Sequence, residues 1–140
     1  MQNILIIGAG DFQLPLVQRA SLSYNVLLAA PVISDAFKPY ITDSLLIDVR
    51  DEEAILAYAR EHSICGVITD QTDIAVRSVA YVAENLGLPG IGSETGRLFT
   101  DKSLMRDRMA QLGIKLLPHR TVSSAEEGLS FYREIGGDII

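Results

Sequence analysis

The sequence predicts an α/β fold built on a Rossmann-like open sheet of mostly parallel strands. Short apolar runs alternate with helical segments along the chain, as in proteins whose strands are buried on both faces. A glycine-rich turn, Gly8-Ala9-Gly10, follows the first apolar run, and an acidic turn at residues 69–73 follows a later one. Because ligands of such sheets bind beyond the carboxyl ends of the strands, we expect these two turns to line one crevice.

Four strands are predicted, since each apolar run is bounded by turn residues. They occupy residues 3–7, 24–30, 44–49 and 65–69. A helix is expected at residues 14–22, with Pro15 in its first turn, where proline is tolerated. A second helix is expected at about residues 51–61, because acidic residues at its start suit the helix dipole. The crossovers between parallel strands should be right-handed.

The helix after the acidic turn is predicted over residues 74–86, with Asp73 as its N-cap and Gly87 at its end. The segments beyond it are a short strand or turn at 90–92, a brief helix from 93, a helix at 101–112, an extended stretch at 116–122, a helix at 125–135 and an apolar strand at 136–140. We therefore expect a first domain at residues 1–92. Residues 93–140 should be the start of a second domain, cut off inside a strand.

The composition argues against several functional classes. The chain has 140 residues, the size of one ordinary domain, with 48% hydrophobic and 21% charged residues. Its net charge of −6 disfavours nonspecific binding to nucleic acids or anionic membranes. A single cysteine, Cys65, excludes an intrachain disulfide and fits a cytoplasmic location. We expect neither a nucleic-acid nor a membrane partner, and a homo-oligomer stays possible.

The glycine-rich turn has three open interpretations. Gly8 and Gly10 allow the backbone to turn tightly and approach an anion, and the next helix offers free N–H groups. A dinucleotide site also needs a third glycine and an acidic residue after the second strand. Gln13 stands at the first of these positions, and Ala30 followed by Pro31 stands at the second. The turn is therefore a substrate-facing loop, a structural turn without a ligand, or an NAD(P) site.

Two other residues are candidates for ligand contact. Asp70 follows the fourth strand and is expected to face the crevice. Asp70 and Asp73 have no histidine beside them, so they specify neither a metal site nor an acid–base pair. Lys102 opens a helix, where the dipole disfavours a cation, so it is either a solvated surface lysine or one that meets a phosphate bound near the helix.

Taken together, these segments resemble the ATP-grasp superfamily, in its carbamoyl-phosphate-synthase-like and carboxylate–amine ligase branch. The resemblance rests on residues 4–10 with Gln13-Leu14-Pro15, on residues 65–73, on residues 79–90, and on Thr100-Asp101-Lys102 with Met105-Arg106. Leu112-Gly113-Ile114 and Pro118 extend it, so it covers nearly the whole chain. The order and spacing of these segments are more specific than any one of them.

The resemblance implies a pre-ATP-grasp domain followed by the first elements of an ATP-grasp module. The parent protein would be a cytoplasmic ligase that uses ATP and magnesium to activate a small-molecule carboxylate for attack by an amine. Gly8, Gly10, Asp11, Gln13 and Asp70 would contribute to the substrate pocket, and Lys102 would contact the nucleotide phosphates. This chain alone would be inactive and would bind no cofactor. The alternatives are an NAD(P)-binding Rossmann domain and a non-catalytic ligand-binding or interaction module.

Overall fold

The computed structural model describes residues 1–136, and its sheet has four parallel strands. They are β1 (Asn3–Ile7), β2 (Asn25–Ala30), β3 (Asp43–Leu46) and β4 (Gly66–Ile68). Their order across the sheet is β3-β2-β1-β4, so β2 and β3 lie on one side of β1 and β4 lies on its other side. The register pairs Leu5 with Leu27 and with Val67. The predicted α/β class and parallel sheet are confirmed.

Six α-helices accompany the sheet in the described residues. They are α1 (Leu14–Ser21), α2 (Glu52–Glu61), α3 (Val76–Asn85), α4 (Ser93–Thr100), α5 (Lys102–Gln111) and α6 (Ala125–Ile135). Short 3-10 turns lie at Asp11–Gln13 and Lys38–Tyr40. Residues 90–92 form no strand, which leaves the turn as the correct one of the two predicted possibilities.

The core lies on both faces of the sheet, because alternate residues of each strand point to opposite sides. On one face Leu5 and Ile7 pack with residues of α2 and α3 such as Ile55 and Val82. On the other face Ile4 and Ile6 pack with Val17 of α1, Phe37 and neighbours. This double burial explains why β1 and β2 are continuously apolar in the sequence.

The chain divides into two compact units, Met1–Thr100 and Asp101–Ile140. Helix α4 belongs to the first unit because it packs closely on α3. A Cβ atom at Gly96 of α4 would lie 2.9 Å from the Ala80 Cβ of α3, so only glycine permits this approach. The domain border predicted after Gly92 therefore falls before α4, whereas the compact units divide after it.

The prediction that Asp73 is the N-cap of a helix starting at residue 74 is wrong. Helix α3 begins at Val76, and its N-cap, Ala75, makes no side-chain capping bond. Residues 73–75 form a turn in which the Val76 N–H donates to the Asp73 carbonyl oxygen at 3.2 Å. Gln71 is left-handed, with φ of 56°, and this turn delays the start of the helix.

In the second unit, side chains cap the first turns of both helices. The Asp101 carboxylate accepts from the backbone N–H groups of Ser103 and Leu104 at 3.0 and 3.1 Å and so caps α5. The Ser124 hydroxyl accepts from the Glu127 N–H at 3.2 Å at the start of α6. The stretch predicted as extended, residues 116–122, forms no strand. The predicted apolar strand at 136–140 lies, beyond its first residue, outside the described residues.

Candidate ligand-binding cleft

The glycine-rich turn after β1 is shaped around one side chain. Gly8 has φ of 109°, a conformation that favours glycine, and its N–H donates to the Ala29 carbonyl oxygen at 2.8 Å. A Cβ atom at Gly8 would overlap the Gln13 amide, with Oε1 at 2.6 Å. Gly8 is therefore required both by its backbone conformation and by the side chain that lies over it.

Gln13 joins the loop after β1 to the loop after β4. Its side chain is only 4% exposed. Oε1 accepts from the Gly10 N–H at 2.8 Å, and Nε2 donates to the Asp70 carbonyl oxygen at 2.8 Å. Thr69 adds a second link, because its hydroxyl donates to the Ile7 carbonyl oxygen at 2.7 Å. The two predicted turns thus lie together at one edge of the sheet, as expected.

The position of Gln13 bears on the dinucleotide interpretation. In a dinucleotide site the glycine amides face the pyrophosphate, and a third glycine leaves space for it. Here the N–H groups of Gly8 and Gly10 are already bonded to protein oxygens, and the Gln13 amide covers Gly8. The turn therefore binds the Gln13 side chain at the position where a dinucleotide site would bind the pyrophosphate.

A cleft of about 610 Å³ opens beside this bridge, at the carboxyl ends of the strands. The point where the strand order reverses, between β1 and β4, is where open α/β sheets bind ligands. The cleft is lined by Gly8, Gly10, Phe12, Gln13, Pro31, Asp48, Val49, Arg50, Gln71, Thr72, Ile74 and Ala75. Phe12 is 83% exposed and offers an aromatic surface to a ligand.

Of the residues predicted to contact substrate, Gly8, Gly10 and Gln13 line the cleft. Asp11 and Asp70 do not. Asp11 is exposed at the start of the 3-10 turn before α1. Asp70 is half-buried, and its Oδ1 atom is enclosed without a hydrogen-bond partner in the described residues. Leaving a buried acceptor unpaired is unfavourable, which makes Asp70 unusual among the polar residues of this edge.

The loop after β3 supplies charged residues that the sequence did not single out. Arg50 donates to Asp48 through Nε, at 3.0 Å to Oδ1, and through one terminal nitrogen, at 2.6 Å to Oδ2. This two-point bond, together with the Arg50 backbone N–H, lowers the pKa of Asp48 to about 2. The same loop is bound to α3, because the buried Ser78 hydroxyl of α3 donates to the Val49 carbonyl oxygen at 2.5 Å.

Lys102 lies in the second compact unit, at the first position of α5, with an exposed side chain. Among residues 1–136, no group of three or more His, Cys, Asp or Glu side chains is placed to hold a metal ion. In the same part of the chain, no helix is long and apolar enough to cross a membrane.

No protein-family model matches this chain. A curated relative, the alanine–anticapsin ligase of Bacillus subtilis (strain 168), is 30% identical over 92 residues, which are 64% of this chain and 20% of that protein. The fold matches phosphoribosylglycinamide synthetase from Anaerococcus prevotii with a TM-score of 0.77 and 19% identity, over 95% of this chain and 34% of that one.

A second solved structure is N5-carboxyaminoimidazole synthetase from Staphylococcus aureus complexed with ADP. It matches with a TM-score of 0.71 and 17% identity, over 94% of this chain and 35% of that one. The chain thus spans about a third of these structures and a fifth of the curated relative. The structural neighbours are ATP-grasp ligases, and the chain resembles their N-terminal domain.

Proposed function

We propose that this chain is the substrate-side, N-terminal part of an ATP-dependent carboxylate–amine ligase of the ATP-grasp type. In the proposed reaction a carboxylate oxygen of the substrate attacks the terminal phosphorus of ATP, the bond to the bridging oxygen breaks, and ADP leaves. The amine nitrogen then attacks the acyl carbon of the acyl phosphate. Phosphate leaves, and the nitrogen loses a proton. A cytoplasmic location and a carbamoyl-phosphate-synthase-like branch belong to the same proposal.

The observation that carries this proposal is the Gln13 bridge beside an open cleft. The bridge holds the loops after β1 and β4 together while leaving a cleft of about 610 Å³ in front of them. The fold matches those of ATP-grasp ligases, which supports a ligase substrate pocket. The Gln13 side chain lies where a dinucleotide site would hold the pyrophosphate, which argues against an NAD(P) site.

Each proposed contact residue has a distinct role. Gly8 and Gly10 shape the wall of the pocket, and Gln13 fixes that wall in place. Asp11 lies in the turn that carries Phe12 to the cleft, and we assign it to the rim of the pocket. The enclosed Asp70 oxygen would accept a hydrogen bond from substrate after a small rotation of its side chain.

Lys102 is proposed to contact the phosphates of ATP. It is exposed at a helix start, where its charge gains nothing from the helix dipole, so an added phosphate would give it an ion-pair partner. Magnesium would neutralise phosphate charge during transfer. Since the described residues offer no cluster of metal ligands, we assign no magnesium contact to them.

The proposal is tested with the full-length protein that carries this sequence. ADP release is followed while carboxylates and amines are offered in pairs, and NADH is titrated separately by fluorescence. We expect ADP release that needs both a carboxylate and an amine, and no saturable NADH binding. Micromolar NADH binding, together with no ADP release from any pair, would contradict the proposal.

A further inference from the structure

A second cavity, of about 560 Å³, lies next to the cleft within the first compact unit and is not explained by the proposed function. It is lined by Arg50, Glu52, Asp73, Ile74, Arg77, Ser78 and Thr100. Two segments supply the charges. Arg50 lies in the loop before α2 and Glu52 is the first residue of α2, whereas Asp73 lies in the turn before α3 and Arg77 is the second residue of α3. Each segment therefore brings one cation and one anion to the same cavity.

These opposite charges do not neutralise each other. Among the described residues, Glu52, Asp73 and Arg77 take part in no ion pair within 4.0 Å, although all three line one cavity. Arg50 is the exception, because its guanidinium is bound at two points to Asp48. The cavity thus offers Arg77 as a cation and Glu52 and Asp73 as anions, held apart from one another.

We propose that this cavity binds the zwitterionic head of an α-amino acid. The Arg77 guanidinium would bind the carboxylate at two points, since its planar geometry matches that group. Asp73 and Glu52 would accept hydrogen bonds from the ammonium group. Ile74, which is 53% exposed, and the side chain of Thr100 would contact the rest of the ligand. A ligand with only one charge would leave the opposite charge of the cavity without a partner.

The arginine–carboxylate contact and the ammonium–carboxylate contacts would each add charge-assisted hydrogen bonds, and an analogue that lacks one charged end loses one of these two sets. We therefore expect an amino acid to bind at least tenfold more tightly than the acid or the amine of the same carbon skeleton. For L-alanine these analogues are propionate and ethylammonium. This binding needs neither ATP nor catalysis, so its failure leaves the proposed ligase activity untouched.

The test uses the 140-residue chain labelled with nitrogen-15 and observed by NMR. Each common L-amino acid is titrated, and the tightest binder is compared with its own acid and amine. We expect saturable shifts of the Arg77 Nε–H signal and of the backbone amides around Ile74 and Arg77. Arg77→Gln and Asp73→Asn should each weaken binding at least tenfold. Arg97→Gln, on an exposed residue of α4 that lines neither cavity, should leave it unchanged.

Three results would overturn the proposal. The first is that no amino acid produces a saturable shift at these residues. The second is that the acid or the amine alone binds as tightly as the amino acid, which would indicate a site for a single charge. The third is that Arg97→Gln weakens binding as much as Arg77→Gln. Because Asp73→Asn replaces an exposed side chain by one of equal size, it keeps the test decisive if Arg77→Gln does not fold.

Discussion

Replacing Gln13 by alanine should destabilise the fold by about 2–4 kcal/mol. The substitution removes the two short hydrogen bonds of the side chain, from the Gly10 N–H and to the Asp70 carbonyl oxygen, each worth about 0.5–1.5 kcal/mol. It also removes one buried methylene group, worth about 0.8 kcal/mol. Because Gln13 is only 4% exposed, water does not readily replace the lost hydrogen bonds. Urea denaturation followed by circular dichroism measures the change.

The matched control is Gln18→Ala in α1, whose side-chain amide makes no hydrogen bond to the described residues. It should change the free energy of unfolding by less than about 0.5 kcal/mol. If Gln13→Ala is no more destabilising than Gln18→Ala, Gln13 does not join the two loops and the reasoning fails.

Gln13→Glu sharpens the same test, because it keeps the size of the side chain. A carboxylate oxygen would then face the Asp70 carbonyl oxygen, and burial would raise the folded-state pKa of the new glutamate. A group with a raised folded-state pKa loses its contribution to stability as the pH rises above its unfolded value of about 4.3. The destabilisation by Gln13→Glu should therefore be larger at about pH 7 than at about pH 4. An equal effect at both pH values would contradict the buried bridge.

Four further predictions concern single residues. Gly8→Ala should lower the free energy of unfolding by at least about 1–2 kcal/mol, because alanine disfavours the left-handed backbone of this position. Its new Cβ would also overlap the Gln13 amide, and adding Gln13→Ala should relieve that overlap but not the backbone strain, as denaturation of the single and double variants would show. Asp70→Asn should leave stability unchanged or raise it, since a neutral amide costs less to enclose without a partner than a carboxylate does, yet it should weaken substrate use in the full-length protein. With Arg50 present, the stability that this pair contributes is present above about pH 3.8 and is lost as the pH falls towards about 2; Arg50→Gln should remove that contribution and return the pKa of Asp48 from about 2 towards its usual value of 3.8, which carbon-13 NMR titration of Asp48 reports. Lys102→Ala should weaken ATP use in the full-length protein by about one to two decades at saturating co-substrates, and unchanged kinetics would make it an ordinary surface lysine.

Much of the fold follows from the sequence because its strongest signals are local. The strands β1 and β2 are continuously apolar since both of their faces are buried, and the helix caps at Asp101 and Ser124 depend on neighbouring residues alone. The prediction of Asp73 as a helix N-cap is wrong because aspartate is also common in turns, and residue type alone does not indicate the left-handed conformation of Gln71.

The site was less predictable than the fold. The sequence shows Gln13 only as a departure from a glycine pattern, because its bond to Asp70 joins residues 57 apart in the chain. Phe12 and Arg50 were missed as lining residues. An exposed phenylalanine and an arginine in a loop carry no periodic signal, so only the packing of the strand ends brings them into one cleft.

The most direct test of the ligase proposal follows an oxygen atom. The full-length protein is given ATP, an amine and the carboxylate that best promotes ADP release. Both oxygens of that carboxylate are labelled with oxygen-18. In an acyl-phosphate reaction the bond between the acyl carbon and one labelled oxygen breaks when the amine attacks, so that oxygen leaves with phosphate. We predict one labelled oxygen in each phosphate released, detected by mass spectrometry. Phosphate without the label, formed at the same rate as the amide product, would contradict the proposed function.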